Sequence, residues 1–174
     1  MQNSSPVETA ISKGHTLGSQ MYPKTPEETE KMSRVLYRSA VGNLMYAIVC
    51  TRPDICQLVG LVSRYQTDPG LAHWQAVKRI MRYLKGTVDY SLCYQGGKDL
   101  RLVGYSDADH GGDLDERKST SRYVFLLSDG AISCSSKKQS CVSLSTMEAI
   151  RGSRISNTKS CLVETFLGTL VGYP

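Results

Sequence analysis

Apolar residues recur at helical spacing through the first half of the chain. In 37–51 they lie at i, i+3, i+4 and i+7, which predicts an amphipathic helix. The residues in this register are Val41, Leu44, Met45 and Ile48. A second run of this type follows Pro53, and a third occupies 71–86. Thr25, followed by Pro26 and Glu28, has the pattern of a capping box and predicts an earlier helix start.

The run at 71–86 carries two neighbouring stripes. One is apolar and contains Trp74, Val77, Ile80, Met81 and Leu84. The other is basic and contains Lys78, Arg82 and Lys85. Such a pattern is typical of a helix with one face on a core and one beside water. Gly86 has the position of a C-terminal glycine cap.

The period changes to short β-like runs after this helix. They cover 91–95, 100–106, 121–128 and 131–137, and Asp129-Gly130 between the last two predicts a hairpin turn. Ser145 with Glu148 then predicts a capped final helix. The fold class is therefore α+β. We divide the chain into a disordered lead (1–24), a helical segment (25–88) and a β-containing domain (89–174).

Composition and charge narrow the function classes. The chain has 174 residues, of which 40% are hydrophobic and 21% charged, so it has enough apolar residues for a core. The net charge of +5 permits a polyanionic partner without requiring one. Six cysteines lack zinc spacing and predict reduced thiols. Neither a signal peptide nor a membrane-spanning run is recognisable, so an intracellular protein is the default expectation, in an unknown compartment.

Aspartates cluster in "GYSDADHGGD", residues 104–113. Asp107, Asp109 and Asp113 follow an apolar run, and such clusters at strand ends bind divalent metals in many proteins. The alternative is a solvated acidic loop, to which Asp115 and Glu116 would contribute. The residues alone leave both interpretations open.

Six segments together resemble the copia-type retrotransposon Pol polyprotein. In chain order they are "YRSAVGNLMYAIVCTRPDI", "HWQAVKRIMRYLKGT", "VGYSDADHGGD", "RKSTSRYVFLL", "ISCSSKKQ" and "LSTMEA". They resemble the C-terminal part of that polyprotein, namely the tail of the reverse transcriptase and the ribonuclease H domain. The resemblance runs from Thr25 to about Gly168.

The resemblance implies a partial ribonuclease H-like fold: an antiparallel three-stranded meander at 101–106, 121–128 and 131–137, followed by the helix after Ser145. It also implies an RNA–DNA hybrid as partner and hydrolysis of the RNA strand with two Mg²⁺ ions held by four carboxylates. A shortened sheet would leave a strand edge unpaired, which predicts self-association.

Only part of the implied carboxylate set is present. Asp107 matches the first catalytic aspartate, and Asp109 lies in the loop beyond it. Ile150 stands at the position of the second, a glutamate, and Glu148 points away from it because two helical residues differ by roughly 200°. The third and fourth would lie beyond Pro174. The resemblance therefore implies a truncated, degenerate and inactive domain, with at most weak remnant metal binding at Asp107 and Asp109 and Mg²⁺ not retained.

Three further positions depart from the family pattern: His110 and Cys134 replace tryptophans, and Arg122 replaces a glycine. If that glycine used positive φ, Arg122 would strain the backbone.

Three functional hypotheses remain. The chain is an inactive Pol fragment, or it retains Mg²⁺-dependent ribonuclease H activity, or it serves as a co-opted binding, regulatory or secreted effector-type protein. Lys78, Arg82 and Lys85 are either a phosphate-contacting face for a hybrid duplex or the wet side of an amphipathic helix.

Overall fold

The computed structural model describes residues 4–11, 16–94 and 101–157, with side chains described up to 153. The chain divides into two compact units, Met1–Leu92 and Cys93–Pro174. The described residues form five α-helices and one antiparallel three-stranded sheet, which agrees with the predicted α+β class. No described helix is long and apolar enough to span a bilayer.

The first unit contains four α-helices joined by short turns. They are α1 (Pro26–Ser33), α2 (Tyr37–Cys50), α3 (Cys56–Val62) and α4 (Leu71–Gly86). Three 3-10 turns accompany them: Ser19–Met21, Pro53–Ile55 and Ser63–Tyr65. The predicted start of α1 is confirmed, because the Glu28 N–H donates to the Thr25 hydroxyl at 3.3 Å and the Glu28 carboxylate accepts the Lys24 N–H at 2.9 Å.

The core of this unit lies where α2, α3 and α4 meet. The buried residues of these helices are Tyr37, Ala40, Val41, Leu44, Val59, Val62, His73, Val77 and Ile80. The Tyr37 hydroxyl donates to the Val62 carbonyl at 2.8 Å, in the last turn of α3 where a helix lacks internal partners. Burial raises the pKa of Tyr37, chiefly through desolvation, so this phenol stays neutral.

Residues 16–22, within the predicted disordered lead, pack on the helices. Leu17 is only 5% exposed and belongs to the core. Its carbonyl accepts the buried Tyr65 hydroxyl at 2.9 Å. This differs from the expectation for 1–24, because the few apolar side chains that pack on the core, among them Leu17, Met21 and Tyr22, show no periodicity that would predict their burial.

A charged network joins the start of α3 to the end of α4. Arg52 donates to both carboxylate oxygens of Asp54, at 3.0 and 2.8 Å, and to the Thr87 carbonyl at 3.2 Å. Tyr83 donates to Asp54 at 2.7 Å. Burial alone would raise the pKa of Asp54, but the hydrogen bonds from Arg52 and then Tyr83 outweigh it and hold the pKa below its ordinary value.

The second unit is a meander of β1 (Leu102–Ala108), β2 (Thr120–Leu127) and β3 (Gly130–Lys138), followed by α5 (Thr146–Asn157). Both pairings are antiparallel in the order β1-β2-β3, so β1 and β3 are the edges of the described sheet. The predicted strands at 100–106, 121–128 and 131–137 are confirmed. The predicted strand at 91–95 does not form over 91–94, and residues 95–100 lie outside the described part of the chain.

The hairpin turn lies one residue earlier than predicted. Ser128 and Asp129 both have positive φ, 47° and 69°, and Leu127 pairs with Gly130, which is a two-residue turn of type I′. Gly130 is therefore a strand residue. A Cβ there would lie 2.5 Å from the ring of Tyr94, so glycine provides room for that ring.

The predicted N-cap of α5 is confirmed, while the carboxylate of the predicted capping box accepts from the residue before the cap. The Glu148 N–H donates to the Ser145 hydroxyl at 3.3 Å, and the Glu148 carboxylate accepts the Leu144 N–H at 2.7 Å. Gln139 joins this helix to the sheet: its amide donates to the Ala149 carbonyl at 2.7 Å and to the Ser121 hydroxyl at 2.8 Å.

Candidate functional site

Asp107 and Asp109 lie at the C-terminal end of β1, two residues apart, so their side chains share one face of the sheet. Arg122 of β2 is the register partner of Asp107. Its guanidinium donates from Nη1 to Asp107 Oδ2 at 3.1 Å and from Nη2 to Asp109 Oδ2 at 3.2 Å. One arginine thus bridges both carboxylates of the predicted metal site.

Asp109 also anchors the loop that follows. Its Oδ1 accepts the Thr120 N–H at 2.5 Å, and its own N–H donates to the Thr120 carbonyl at 3.1 Å. Both carboxylate oxygens are therefore in hydrogen bonds with the protein. Asp109 continues the pairing of β1 by one residue and is not a loop ligand that projects freely.

Asp113 is a buried structural residue of the same loop. Its carboxylate accepts the Glu116 N–H at 3.0 Å and the Lys138 ammonium at 3.4 Å. Glu116 accepts Lys138 at 2.7 Å and Lys118 at 2.5 Å. Hydrogen bonds from Lys118 and then Lys138 hold the pKa of Glu116 at about 2. This acidic cluster is neutralised by lysines of the same unit.

The donor set at the strand end does not fit a catalytic Mg²⁺ pair. Magnesium needs carboxylate oxygens in near-octahedral geometry. Here Arg122 bonds one oxygen of each aspartate, and Ile150, which offers no oxygen, stands at the implied position of the second carboxylate. Over the described ranges, no three histidine, cysteine or acidic side chains come together in a way that could hold a metal.

Arg122 is not strained. The non-glycine residues with positive φ in the described chain are Arg117, Ser128 and Asp129, so the conditional expectation of strain at Arg122 does not apply. The sequence pattern alone did not lead to a prediction that Arg122 pairs with the two aspartates. The signal was available, because antiparallel pairing of runs 101–106 and 121–128 places position 122 opposite the end of the first run.

The three predicted nucleic-acid-binding residues lie along one side of α4, and two of them hold the N-terminal segment. Arg82 Nε donates to the Ser5 carbonyl at 2.6 Å, and Lys85 Nζ donates to the Ser4 carbonyl at 2.9 Å. Lys78 lines a cavity beside them. We call residues 4–11 the N-terminal strap, since they lie along this basic side.

Arg79 was not predicted and belongs to the same surface. Its Nη2 donates to the Thr9 hydroxyl at 3.0 Å and to the Ile11 carbonyl at 3.4 Å. Gly86 is the last residue of α4 rather than a left-handed cap. A Cβ at Gly86 would lie 3.0 Å from Pro6 Cβ, so this glycine lets the strap approach the helix end.

Comparison with known proteins gave neither a matching family model nor a matching solved structure, but several sequence relatives. The chain is 54% identical, over 86% of its length, to the retrovirus-related Pol polyprotein from transposon TNT 1-94 of Nicotiana tabacum, and covers 11% of it. It is 38% identical, over its whole length, to the corresponding polyprotein from transposon RE2 of Arabidopsis thaliana, and covers 12% of it.

A shorter relative is matched over most of its own length. The chain is 50% identical, over 117 residues, to Secreted RxLR effector protein 161 of Plasmopara viticola; these residues are 67% of this chain and 82% of that protein. By contrast, the chain spans about a ninth of the polyproteins' length. The chain is therefore similar over most of its own length to part of the retrovirus-related Pol polyproteins from transposons, and similar to the shorter effector protein over most of that protein's length.

Proposed function

We propose that the chain is a catalytically inactive remnant of the reverse transcriptase tail and ribonuclease H-like region of a Pol polyprotein. The observation that carries this proposal is the guanidinium of Arg122 lying between Asp107 and Asp109. An arginine stays protonated at all accessible pH values, so its positive charge beside the two carboxylates disfavours a divalent cation at any pH.

A metal could enter only by displacing this guanidinium. The pair with Asp107 is exposed and the pair with Asp109 is partly buried; at about 1 kcal/mol for a pair in contact with water, displacement of the guanidinium alone is not prohibitive. The larger obstacle is the absence of a replacement ligand, because Ile150 stands where the resemblance implies a glutamate. Two-metal hydrolysis needs carboxylates that bridge and flank both ions, and this site offers two aspartates already in hydrogen bonds.

The direct test is cleavage of a labelled RNA–DNA hybrid in Mg²⁺ or Mn²⁺. We expect no cleavage above a metal-free control by the purified chain. Cleavage that disappears in Asp107→Asn would refute the inactive assignment and support the alternative of residual ribonuclease H activity. Asp129→Asn, which changes an aspartate at the distant hairpin turn, is the matched control.

A second experiment asks whether Arg122 is what blocks the metal. Mn²⁺ binding is measured by titration for the native chain, for Arg122→Gly and for Arg122→Gly with Ile150→Glu. We expect binding to increase stepwise through this series. Equal binding by all three proteins would show that neither residue controls the site.

The basic side of α4 could bind an RNA–DNA hybrid without cleaving it. Lys78, Arg82 and Lys85 supply the positive charge, and we propose that a hybrid duplex contacts them in competition with the strap. Such binding should weaken with salt, and its log–log slope should shrink by about one for each phosphate-binding cation that is substituted. Lys31→Gln, an exposed lysine on α1, is the control for a charge change away from α4.

A second candidate function is that of a free-standing effector-type protein. The supporting observation is that the chain covers 82% of the relative named as a secreted effector but 11% of the Nicotiana polyprotein. This candidate predicts hybrid binding no stronger than that of an unrelated protein of equal charge. Salt-dependent binding that is abolished by substitution of the three basic residues would instead favour the Pol-type role.

A further inference from the structure

We propose that the first unit binds an anionic amphiphile with a single aliphatic chain, such as a long-chain carboxylate, in the cavity between α3, α4 and the strap. This inference does not rest on the proposed function, although Lys78 and Arg82 take part in both. The cavity has a volume of about 630 Å³. That lies within the roughly 300–1,000 Å³ typical of small-molecule sites in proteins.

The apolar part of the cavity wall is aliphatic, and Ser4, Ser5, Gln75 and three cations form the rest of the described lining. The aliphatic side chains include Leu58 and Leu61 of α3 and Ile80 of α4. Ile11 at the end of the strap and Leu17 of the segment 16–22 are also part of this wall. The described lining contains no aromatic side chain. A nucleobase would find no ring to stack on, whereas an aliphatic chain would bury its methylenes against branched side chains.

The charge around the cavity is of one sign. Lys78, Arg79 and Arg82 are among its lining residues, and the described lining contains no acidic side chain. Arg79 and Arg82 donate to carbonyl or hydroxyl oxygens of the strap, which fix the guanidiniums without neutralising them. The Arg79 Nε is buried and has no hydrogen-bond partner within the described residues. An anionic head group would supply the missing negative charge.

Together these features define the ligand class. An apolar wall beside uncompensated cations favours a molecule with an aliphatic tail and an anionic head over a neutral hydrocarbon or a free phosphate. A carboxylate also forms paired hydrogen bonds with a guanidinium. The strap lies over the same cations, so ligand binding should change the exposure of residues 4–11.

The first test uses the native chain and a series of carboxylates: octanoate, decanoate and dodecanoate below their micelle concentrations. Isothermal titration should show saturable binding of one molecule per chain, with Kd falling by up to about fourfold per added methylene until the cavity is full. Dodecanol should bind at least about tenfold more weakly than dodecanoate. Affinity that is independent of chain length, or equal for alcohol and carboxylate, would overturn the proposal.

Variants then locate the site. Lys78→Gln removes a cavity cation without touching the hydrogen bonds that Arg79, Arg82 and Lys85 make to the strap, and it should weaken dodecanoate binding by about threefold to tenfold. Lys31→Gln, at an exposed position on α1, should leave it unchanged. Ala76→Phe fills the cavity and should abolish binding of the long chain, with circular dichroism used to verify folding. Equal effects of Lys78→Gln and Lys31→Gln would refute the location independently of the filled variant.

Vesicles distinguish a cavity ligand from a membrane surface. The proposal expects binding to monomeric dodecanoate and no greater binding to anionic than to neutral phospholipid vesicles. Strong binding to anionic vesicles with none to dodecanoate would show that the basic residues form a surface contact, which contradicts the proposed cavity site.

Discussion

Leu17 tests whether the segment before α1 is part of the folded unit. Leu17→Ala removes a side chain that is 5% exposed, next to the hydrogen bond between Tyr65 and the Leu17 carbonyl. Buried Leu→Ala substitutions cost about 2–5 kcal/mol. Because Leu17 lies on a peripheral segment that can partly close the gap, we expect the lower part of that range, about 2–3 kcal/mol.

The assay is urea or thermal unfolding followed by tryptophan fluorescence. Trp74 is the only tryptophan in the chain, and it lies in α4 beside Tyr37, so the signal reports on the first unit alone. For a domain of this size, 1 kcal/mol corresponds to about 4–8 °C in Tm. Leu17→Ala should therefore lower the Tm of this transition by roughly 8–24 °C.

Ile11→Ala is the matched control from the same part of the chain. Ile11 is 45% exposed, so its truncation should cost at most about 1 kcal/mol. If Leu17→Ala shifts the transition no more than Ile11→Ala does, then residues 16–22 are not docked, and the disordered lead predicted from composition would be the correct description.

Four further predictions concern individual interactions. Tyr37→Phe should destabilise the first unit by about 1 kcal/mol in urea unfolding, because it removes a buried hydrogen bond, whereas the exposed Tyr46→Phe on the same helix should be neutral. Asp54 has a lowered pKa in the folded state, so its contribution to stability is present above the unfolded pKa and should be lost as acid titration passes below about pH 4; Asp54→Asn should flatten that dependence. Gln139→Leu should cost about 1–3 kcal/mol and speed amide exchange in α5, and unchanged exchange would contradict its role as a link. Light scattering should show mass rising with concentration through pairing of the β1 or β3 edge, and a monomer at every concentration would contradict this.

Local signals predicted the elements well. The N-caps at Thr25 and Ser145 depend on neighbouring residues, and both form as predicted. The helix at 71–86 was recognisable because its apolar stripe follows one helical period. The hairpin turn was displaced by one residue, because Asp129-Gly130 and Ser128-Asp129 both suit a two-residue turn and the register decides between them.

The partners of the predicted site residues could not be predicted in the same way, because the role of a charged residue depends on the groups it contacts in the folded chain. Lys78, Arg82 and Lys85 do share one side of α4, as helical spacing requires. The sequence could not show that Ser4 and Ser5 carbonyls accept two of these side chains, since more than 70 residues separate the partners. Arg79 was overlooked for the same reason, as its partners lie in the strap.

The sequence by itself determined the order of helices and strands, the caps and the kinship with Pol polyproteins, because these depend on local periodicity and on motifs read in order. Only the tertiary structure decided what "GYSDADHGGD" does. Antiparallel pairing places Arg122 against Asp107 and Asp109, and the loop fold buries Asp113 beside Lys138. Carboxylates bind metal or arginine according to which group lies within about 3 Å, and only the folded chain fixes that distance.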